Sequence, residues 1–248
     1  TADLGFGVFE KFEEKYKDQY FNVGVAEQNM TGVAVGMALE GKKVFTYSIA
    51  NFPTLRCLEQ IRNDACYHNA NITIISSGGG FSYGPLGMSH HATEDLSILR
   101  SLPNTTITTP CTELDVKMLT KELSKISNVC YLRLDKSYCK ETQSNFTFGK
   151  AYRFRDGKDF TLAACGGVLE EAILAADLLK KDSINVRVSG FHSIKPLDKK
   201  EIFDSSENTG GLITIEENNI LGGFGSAVSE VCMIEGKIPR KFQMMGLN

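Results

Sequence analysis

Residues 20–30, YFNVGVAEQNM, are the stretch that decides the fold. They predict a short strand over 20–23 that ends at Gly24, followed at once by a helix over 27–40. That helix carries a buried stripe, because apolar residues recur at the i, i+3, i+4, i+7 spacing: Met30, Val33, Ala34 and Met37. Glu27 falls in its first turn, where the helix dipole alone would stabilise a carboxylate. Spacing by itself therefore leaves Glu27 either a helix-start residue or a functional acid.

The rest of the chain repeats this strand–helix alternation. In the first half we predict strands at 20–23, 43–48, 72–76, 105–109 and 129–134, and helices at 7–17, 27–40, 53–68, 93–101 and 112–127. In the second half we predict strands at 159–164, 184–189 and 211–216, and helices at 168–181, 198–205 and 223–235. A polar stretch at 135–145 separates the two units. Because such alternation favours parallel sheets flanked by helices, we predict an α/β fold of two domains, each with a mainly parallel sheet. The domains are expected at 1–140 and 147–248, joined by a linker at 141–146.

Composition narrows the class of protein. The chain has 42% hydrophobic and 23% charged residues and a net charge of −3, which is unlike the basic face of a nucleic-acid binder. No apolar run approaches the roughly 18 residues of a membrane span, and residues 1–4 (TADL) do not resemble a signal peptide. The seven cysteines are scattered and never spaced C-x-x-C, as expected of reduced thiols. We therefore expect a cytoplasmic protein without a nucleic-acid or membrane partner.

One apparent nucleotide motif is misleading. Residues 36–43, GMALEGKK, nearly match the phosphate-binding loop G-x-x-x-x-G-K-[ST]. They lack the final Ser or Thr, and they lie between a helix and a strand, whereas that loop leads from strand to helix. A glycine that ends the helix is the better interpretation.

Three segments together resemble the transketolase superfamily. Residues 24–30, GVAEQNM, resemble its glutamate motif. Residues 48–64, SIANFPTLRCLEQIRND, resemble the segment whose aromatic side chain stacks on the aminopyrimidine of thiamine diphosphate, and residues 82–95, SYGPLGMSHHATED, resemble its histidine loop. The opening TADL is similar to the family's S-A-D-L stretch. Residues 191–198 and 216–227 are similar to its C-terminal domain, so the resemblance covers essentially the whole chain.

The resemblance implies a role for particular residues. Glu27 would share a proton with the aminopyrimidine ring and so promote removal of the thiazolium C2 proton, and His90 would contact the substrate oxygen or shuttle a proton. The implied cofactor-binding residues are Leu4, Glu27, Ile49, Phe52 and Leu55. The implied substrate-binding residues are Asp3, His90, His91 and Lys136. Taken alone, Phe52 could be a core residue, and the histidine pair could be a surface pair or half a metal site, although no ligand spacing supports a metal.

The C-terminal domain is expected to serve assembly. Its glycine cluster at 222–225 predicts a tight turn into a helix, and the alternative is an anion site formed by free backbone amides.

A missing motif implies a partner. The superfamily's acidic G-D-G…N motif, which holds the diphosphate and its metal ion, is not found in these residues. The resemblance therefore implies that thiamine diphosphate is shared with an N-terminal, diphosphate-binding transketolase subunit, which also holds Mg²⁺ or Ca²⁺. We assign no metal ligand to this chain and expect an assembly of two copies of each subunit.

Four positions depart from the family's sugar-phosphate contacts. Gly7 stands where a serine is usual, Gly78 replaces a histidine, Leu86 replaces an aspartate, and Lys136 replaces an arginine. Lysine keeps the charge but loses the bidentate fork. The identities of donor and acceptor thus stay open.

Three functions compete at this point. The first is transfer of a two-carbon ketol unit from a ketose donor, a sugar or sugar phosphate, to an aldose acceptor. The second is the beta subunit of a 2-oxo acid dehydrogenase, or another thiamine-dependent acyl or ketol ligase, acting on a 2-oxo acid. The third is a non-catalytic scaffold that kept the fold. The residues SHHATEDL and EQIRND favour the first.

Overall fold

The computed structural model describes all 248 residues as two five-stranded sheets flanked by helices. The strands are β1 Val44–Ile49, β2 Ile72–Ser77, β3 Thr105–Thr108, β4 Val129–Leu134, β5 Tyr152–Arg155, β6 Phe160–Cys165, β7 Val186–Phe191, β8 Ser193–Lys195, β9 Leu212–Asn219 and β10 Phe242–Leu247. The helices are α1 Glu10–Lys15, α2 Glu27–Leu39, α3 Leu58–Gln60, α4 Asp95–Ser101, α5 Glu113–Leu123, α6 Leu169–Leu179, α7 Lys199–Asn208 and α8 Phe224–Ile234. None of these helices is long and apolar enough to span a bilayer.

The first sheet has the order β1-β2-β4-β3-β8, and its first four strands are parallel. Ile49 pairs with Ser77, and Ser77 pairs with Leu134, so β1, β2 and β4 end at the same edge. The loops that follow parallel strands meet at such an edge. The segments after these strands begin the regions that carry Phe52, the histidine loop and Lys136.

The second sheet has the order β10-β9-β6-β7-β5. It is parallel except for β5, which runs antiparallel to β7. Strand β7 is buried at every position, as is typical of a parallel strand covered on both faces. This sheet and the first confirm the predicted α/β fold class.

The two halves share one core. Strand β8 belongs to the second half of the sequence, yet it pairs with β3 of the first sheet. The largest hydrophobic cluster contains residues from both halves, among them Ile107, Phe191 and Phe224. Arg133 Nη2 also donates to the Glu217 carbonyl at 2.7 Å. The two sheets are therefore fixed against each other by buried contacts.

Some predicted elements are wrong or incomplete. Residues 20–23 do not form a strand of either sheet, and their backbone bonds nearby residues outside the sheets instead. The Thr1 amino group donates to Phe21 O, Val23 N–H donates to Thr1 O, and Tyr20 N–H donates to Lys17 O. The predicted helix over 7–17 shrinks to α1. The one over 53–68 breaks into a 3₁₀ turn Leu55–Cys57, the single turn α3 and a π-helical turn Ile61–Cys66. Strands β5, β8 and β10 had no prediction.

Candidate active site

Glu27 is the first residue of α2 and is almost completely buried, with 2% of its side chain exposed. Gly24 precedes it with a φ of 76°, a conformation that glycine adopts without a Cβ penalty. No side chain caps the start of this helix, and Glu27 is the acidic residue of its first turn. Its Oε2 accepts a hydrogen bond from Arg56 Nη1 at 2.7 Å. A buried carboxylate thus points toward a cation whose own side chain is 46% exposed.

Phe52 forms a wall of the same site. It lies in the turn after β1, and the Arg56 guanidinium carbon lies 4.4 Å from the centre of its ring. The His90 ring meets Phe52 edge-on at 5.1 Å between centroids. Arg56 therefore bridges Glu27 and Phe52, and Phe52 connects them to His90. The half-buried Ile49 and Leu55 flank Phe52 along the chain, at the end of β1 and the start of the following 3₁₀ turn.

The histidine loop is held against the Phe52 turn by hydrogen bonds. Asn51 Nδ2 donates to Ser89 O at 2.9 Å, and Ser89 Oγ lies 3.0 Å from His90 Nδ1. His90 Nε2 has no hydrogen bond within the chain, so it can engage a ligand. His91 differs, because its Nε2 lies 3.2 Å from Gly84 O and its ring packs edge-on against Phe81. His91 therefore ties the loop to itself.

Tyr83 fills the space beside Gly78. A Cβ on Gly78 would lie 2.1 Å from Tyr83 Cε2, so no larger side chain fits there unless Tyr83 moves. Lys136 Nζ stacks 3.7 Å from the centre of the Tyr83 ring, a cation–π geometry. Tyr83 and His90 are 6.2 Å apart between ring centroids. Lys136 thus reaches the histidine loop through Tyr83.

The N-terminal segment joins the site through Asn22. Asp3 has a φ of 55°, its N–H donates to Asn22 Oδ1 at 2.9 Å, and its carboxylate accepts from Asn22 Nδ2 at 3.2 Å. Asn22 Oδ1 also accepts from Gly24 N–H, in the turn that leads into α2. This arrangement places the segment containing the half-buried Leu4 beside the turn before Glu27.

Sequence reasoning missed the side chains that link the predicted ones, two of which are Arg56 and Tyr83. Both lie inside the motif segments that the sequence analysis identified. Arg56 is 29 residues from Glu27 in sequence, and Tyr83 is 53 residues from Lys136. No local pattern shows which side chains these two would contact.

The glycine cluster before α8 is a structural turn. Glu216 is buried, and its carboxylate accepts hydrogen bonds from Phe224 N–H at 2.7 Å and Gly225 N–H at 2.8 Å. Burial raises the pKa of Glu216, while these two amides counteract the shift. The backbone amides that could have bound an anion already bind this side chain.

The thiols and acidic groups do not form a metal site. All seven cysteines are free and buried. No group of three or more His, Cys, Asp or Glu side chains lies together in a way that could hold a metal ion.

The arrangement fits a planar group whose edge nitrogen shares a hydrogen with the Glu27 carboxyl. The Arg56 guanidinium, itself flat and N–H-donating, lies against the Phe52 face and bonds the Glu27 carboxylate. A buried carboxyl that can share a proton with a ring nitrogen, beside an aromatic ring for stacking, is what an aminopyrimidine requires. The residues present therefore fit the pyrimidine end of thiamine diphosphate.

Comparisons with known proteins give the class. The family "Transketolase, pyrimidine binding domain" matches residues 1–141, and "Transketolase, C-terminal domain" matches residues 149–248. The chain belongs to the transketolase family, whose members use thiamine diphosphate.

Individual relatives make the assignment more specific. An apulose-4-phosphate transketolase subunit of Phocaeicola vulgatus is 35% identical over 92% of this chain and 74% of its own. The 6-deoxy-6-sulfo-D-fructose transketolase subunit SqwH of Clostridium sp. (strain MSTE9) is 33% identical over 89% of this chain and 69% of its own. A solved split-gene transketolase, an inactive beta4 tetramer, matches with a TM-score of 0.90 and 34% identity, over all of this chain and 81% of that one. The predicted family resemblance is thus confirmed. The chain is a transketolase-type transferase that works as one subunit of a complex.

Proposed function

We propose that this chain supplies the cofactor-activating half of a transketolase that moves a two-carbon ketol unit from a ketose donor to an aldose acceptor. The donor would lose the bond between its second and third carbons and leave as a shorter aldose, and the ketol unit would join the acceptor's aldehyde carbon. The observation that carries this proposal is that the buried Glu27 carboxylate and the Phe52 ring hold one flat group, the Arg56 guanidinium, between them.

The cofactor supplies the nucleophilic carbon, and this chain's residues prepare it. Glu27 Oε2 would share a proton with the aminopyrimidine ring nitrogen, which is the role of a general acid at that atom. Phe52 would stack on the ring and exclude water. The remaining proposed cofactor contacts, by resemblance, are Leu4, Ile49 and Leu55.

The proposed substrate contacts lie around the histidine loop. His90, oriented by Ser89, would hydrogen-bond the substrate oxygen or pass a proton through its Nε2. Lys136 would attract an anionic group on the sugar. Asp3 and His91 are substrate contacts by resemblance alone. Their contacts with Asn22 and Gly84 support an indirect role, holding the segments that line the site.

The substrate is proposed to be a sugar with an anionic substituent. The names of two relatives specify apulose-4-phosphate and 6-deoxy-6-sulfo-D-fructose. The single lysine at position 136, stacked on Tyr83, supports recognition of charge without a bidentate fork.

A partner chain is proposed to complete the cofactor site and to hold Mg²⁺ or Ca²⁺ with the diphosphate. Large exposed apolar side chains inside the motif segments support a covered surface, since Val25 is 75% and Met88 86% exposed. We propose an assembly of two copies of each subunit. The solved split-gene relative is an inactive tetramer of beta chains, which agrees with a need for another subunit.

The domain division is proposed as 1–140 and 147–248 with a linker at 141–146. The seven buried free thiols support a reducing, cytoplasmic location.

The experiment that tests this function is hydrogen–deuterium exchange at C2 of thiamine diphosphate, measured by NMR on the chain with its co-purified partner. We expect Glu27→Gln to bind the cofactor but to slow exchange by at least about 100-fold, because an amide cannot share the proton. Glu59→Gln, an exposed glutamate of the Phe52 segment, is the matched control and should exchange at the wild-type rate. Equal exchange in Glu27→Gln and wild type would remove Glu27 from its role.

A further inference from the structure

Arg56 makes both of the contacts that the proposed function assigns to the aminopyrimidine ring. Its Nη1 donates to Glu27 Oε2 at 2.7 Å, and its guanidinium lies 4.4 Å from the centre of the Phe52 ring. A guanidinium resembles that ring in being flat and in placing at its edge a nitrogen that has a hydrogen between it and Glu27 Oε2. The two groups therefore require the same space for the same reasons.

The position of Glu27 decides which face of Phe52 is involved. Because Arg56 touches Glu27 and Phe52 together, it lies on the side of the Phe52 ring that faces Glu27. Any ring that stacks on Phe52 and bonds Glu27 must enter on that side. Arg56 and the cofactor ring cannot both be there.

Arg56 is able to leave. Its side chain is 46% exposed, whereas that of Glu27 is 2% exposed. Its guanidinium has no hydrogen-bond acceptor other than Glu27 in this chain. Rotation of Arg56 toward solvent would thus break one ion pair and one stacking contact, while Glu27 stays fixed on α2.

We propose that Arg56 is a placeholder for the aminopyrimidine: it satisfies the buried Glu27 carboxylate and shields the Phe52 face, and it is displaced when thiamine diphosphate binds. This inference rests on the proposed function. In this proposal Arg56 lowers the affinity for the cofactor, because the contacts of Arg56 with Glu27 and Phe52 must break before the cofactor can bind.

The direction of the effect separates this proposal from ordinary electrostatics. Thiamine diphosphate is an anion at its diphosphate end, so removal of a nearby positive charge should weaken its binding. Displacement of a placeholder predicts the opposite sign. Loss of one partly exposed ion pair and one cation–π contact should tighten binding about threefold to tenfold.

The test is calorimetric titration of thiamine diphosphate with excess Mg²⁺ into the assembled complex. Arg56→Gln should bind about threefold to tenfold more tightly than wild type. Arg56→Lys, which keeps the charge but not the flat fork, should lie between the two. Arg62→Gln is the matched control, because Arg62 is an exposed arginine of the same segment that bonds only Asn63, and its affinity should be unchanged or slightly weaker.

A second readout needs no cofactor. Urea unfolding of the chain with Glu27→Gln, Arg56→Gln and both changes together should show non-additive effects on stability, because the two side chains form a pair. Additive effects would refute the pair.

Unchanged or weaker cofactor binding in Arg56→Gln, with wild type binding normally, would overturn the placeholder and leave the proposed function standing. Absence of binding in every variant would overturn the proposed function itself, and the placeholder with it.

Discussion

Replacement of Arg133 by methionine should reveal how the two halves of the chain are held together. Arg133 is 2% exposed and lies beside two buried carboxylates, with Nε 3.1 Å from Asp135 Oδ1 and Nη1 3.5 Å from Asp95 Oδ1. Its Nη2 donates to the carbonyl of Glu217 in the second sheet, and Tyr131 donates its hydroxyl proton to Asp95. The methionine variant keeps the volume approximately but leaves both carboxylates without their cation.

The expected loss is large because one partner of a buried ionic network is removed. Such changes cost about 3–5 kcal/mol in the free energy of unfolding. Burial raises the pKa of Asp95, and the Arg133 charge and the Tyr131 hydrogen bond oppose that rise. Without Arg133 the pKa of Asp95 must rise further, so the folded variant takes up a proton at a pH where the unfolded chain does not.

The sign of the pH dependence follows from that proton. When the folded state binds more protons than the unfolded state, stability falls as the pH rises, by up to about 1.4 kcal/mol per pH unit for one group. This loss of stability begins near pH 3.8, the ordinary pKa of aspartate, and continues up to the raised pKa of Asp95 in the folded variant. The penalty of Arg133→Met should therefore be smaller at pH 5 than at pH 8.

Urea unfolding followed by circular dichroism at pH 5, 6.5 and 8 measures this difference. Arg62→Met is the control, because Arg62 is exposed and bonds only Asn63, and it should change stability by less than about 0.5 kcal/mol at every pH. A loss in Arg133→Met below about 1 kcal/mol that does not vary with pH would refute the reasoning.

Two further predictions concern buried positions away from Glu27. Gly79→Ala should lower the free energy of unfolding by at least about 2 kcal/mol, because its Cβ would lie 1.8 Å from Arg133 Nε. Gly84→Ala, with no atom within 4 Å of its Cβ, should lower it by less than about 1 kcal/mol. Equal unfolding midpoints of the two variants in urea would contradict this. Burial lowers the pKa of His192 from 6.5 to about 4, so the unfolded chain binds more protons between these values and stability falls as the pH falls. His192→Phe should remove this pH-dependent loss of stability, which is about 2 kcal/mol between pH 7 and pH 5. Urea unfolding at both pH values measures it, and an identical loss in wild type and variant would contradict the prediction.

The sequence by itself determined the fold class and predicted the residues around which the candidate site is built. Alternation of strands and helices is a local property, so the parallel sheets and most of their boundaries could be read from periodicity. The motifs also pointed to Glu27, Phe52 and His90, which the structure brings together through Arg56 and the edge-on contact of Phe52 with His90.

Only the tertiary structure decided which side chains meet. The pairing of β8 with β3, the burial of Arg133 between two carboxylates and the contact of Arg56 with Glu27 all join residues far apart in sequence. The same limit explains the error at 20–23, where an apolar extended run met no sheet edge to pair with. Periodicity reports how one segment buries its own face. The partner of a given hydrogen bond or charge depends on how distant segments pack, and no local pattern records that.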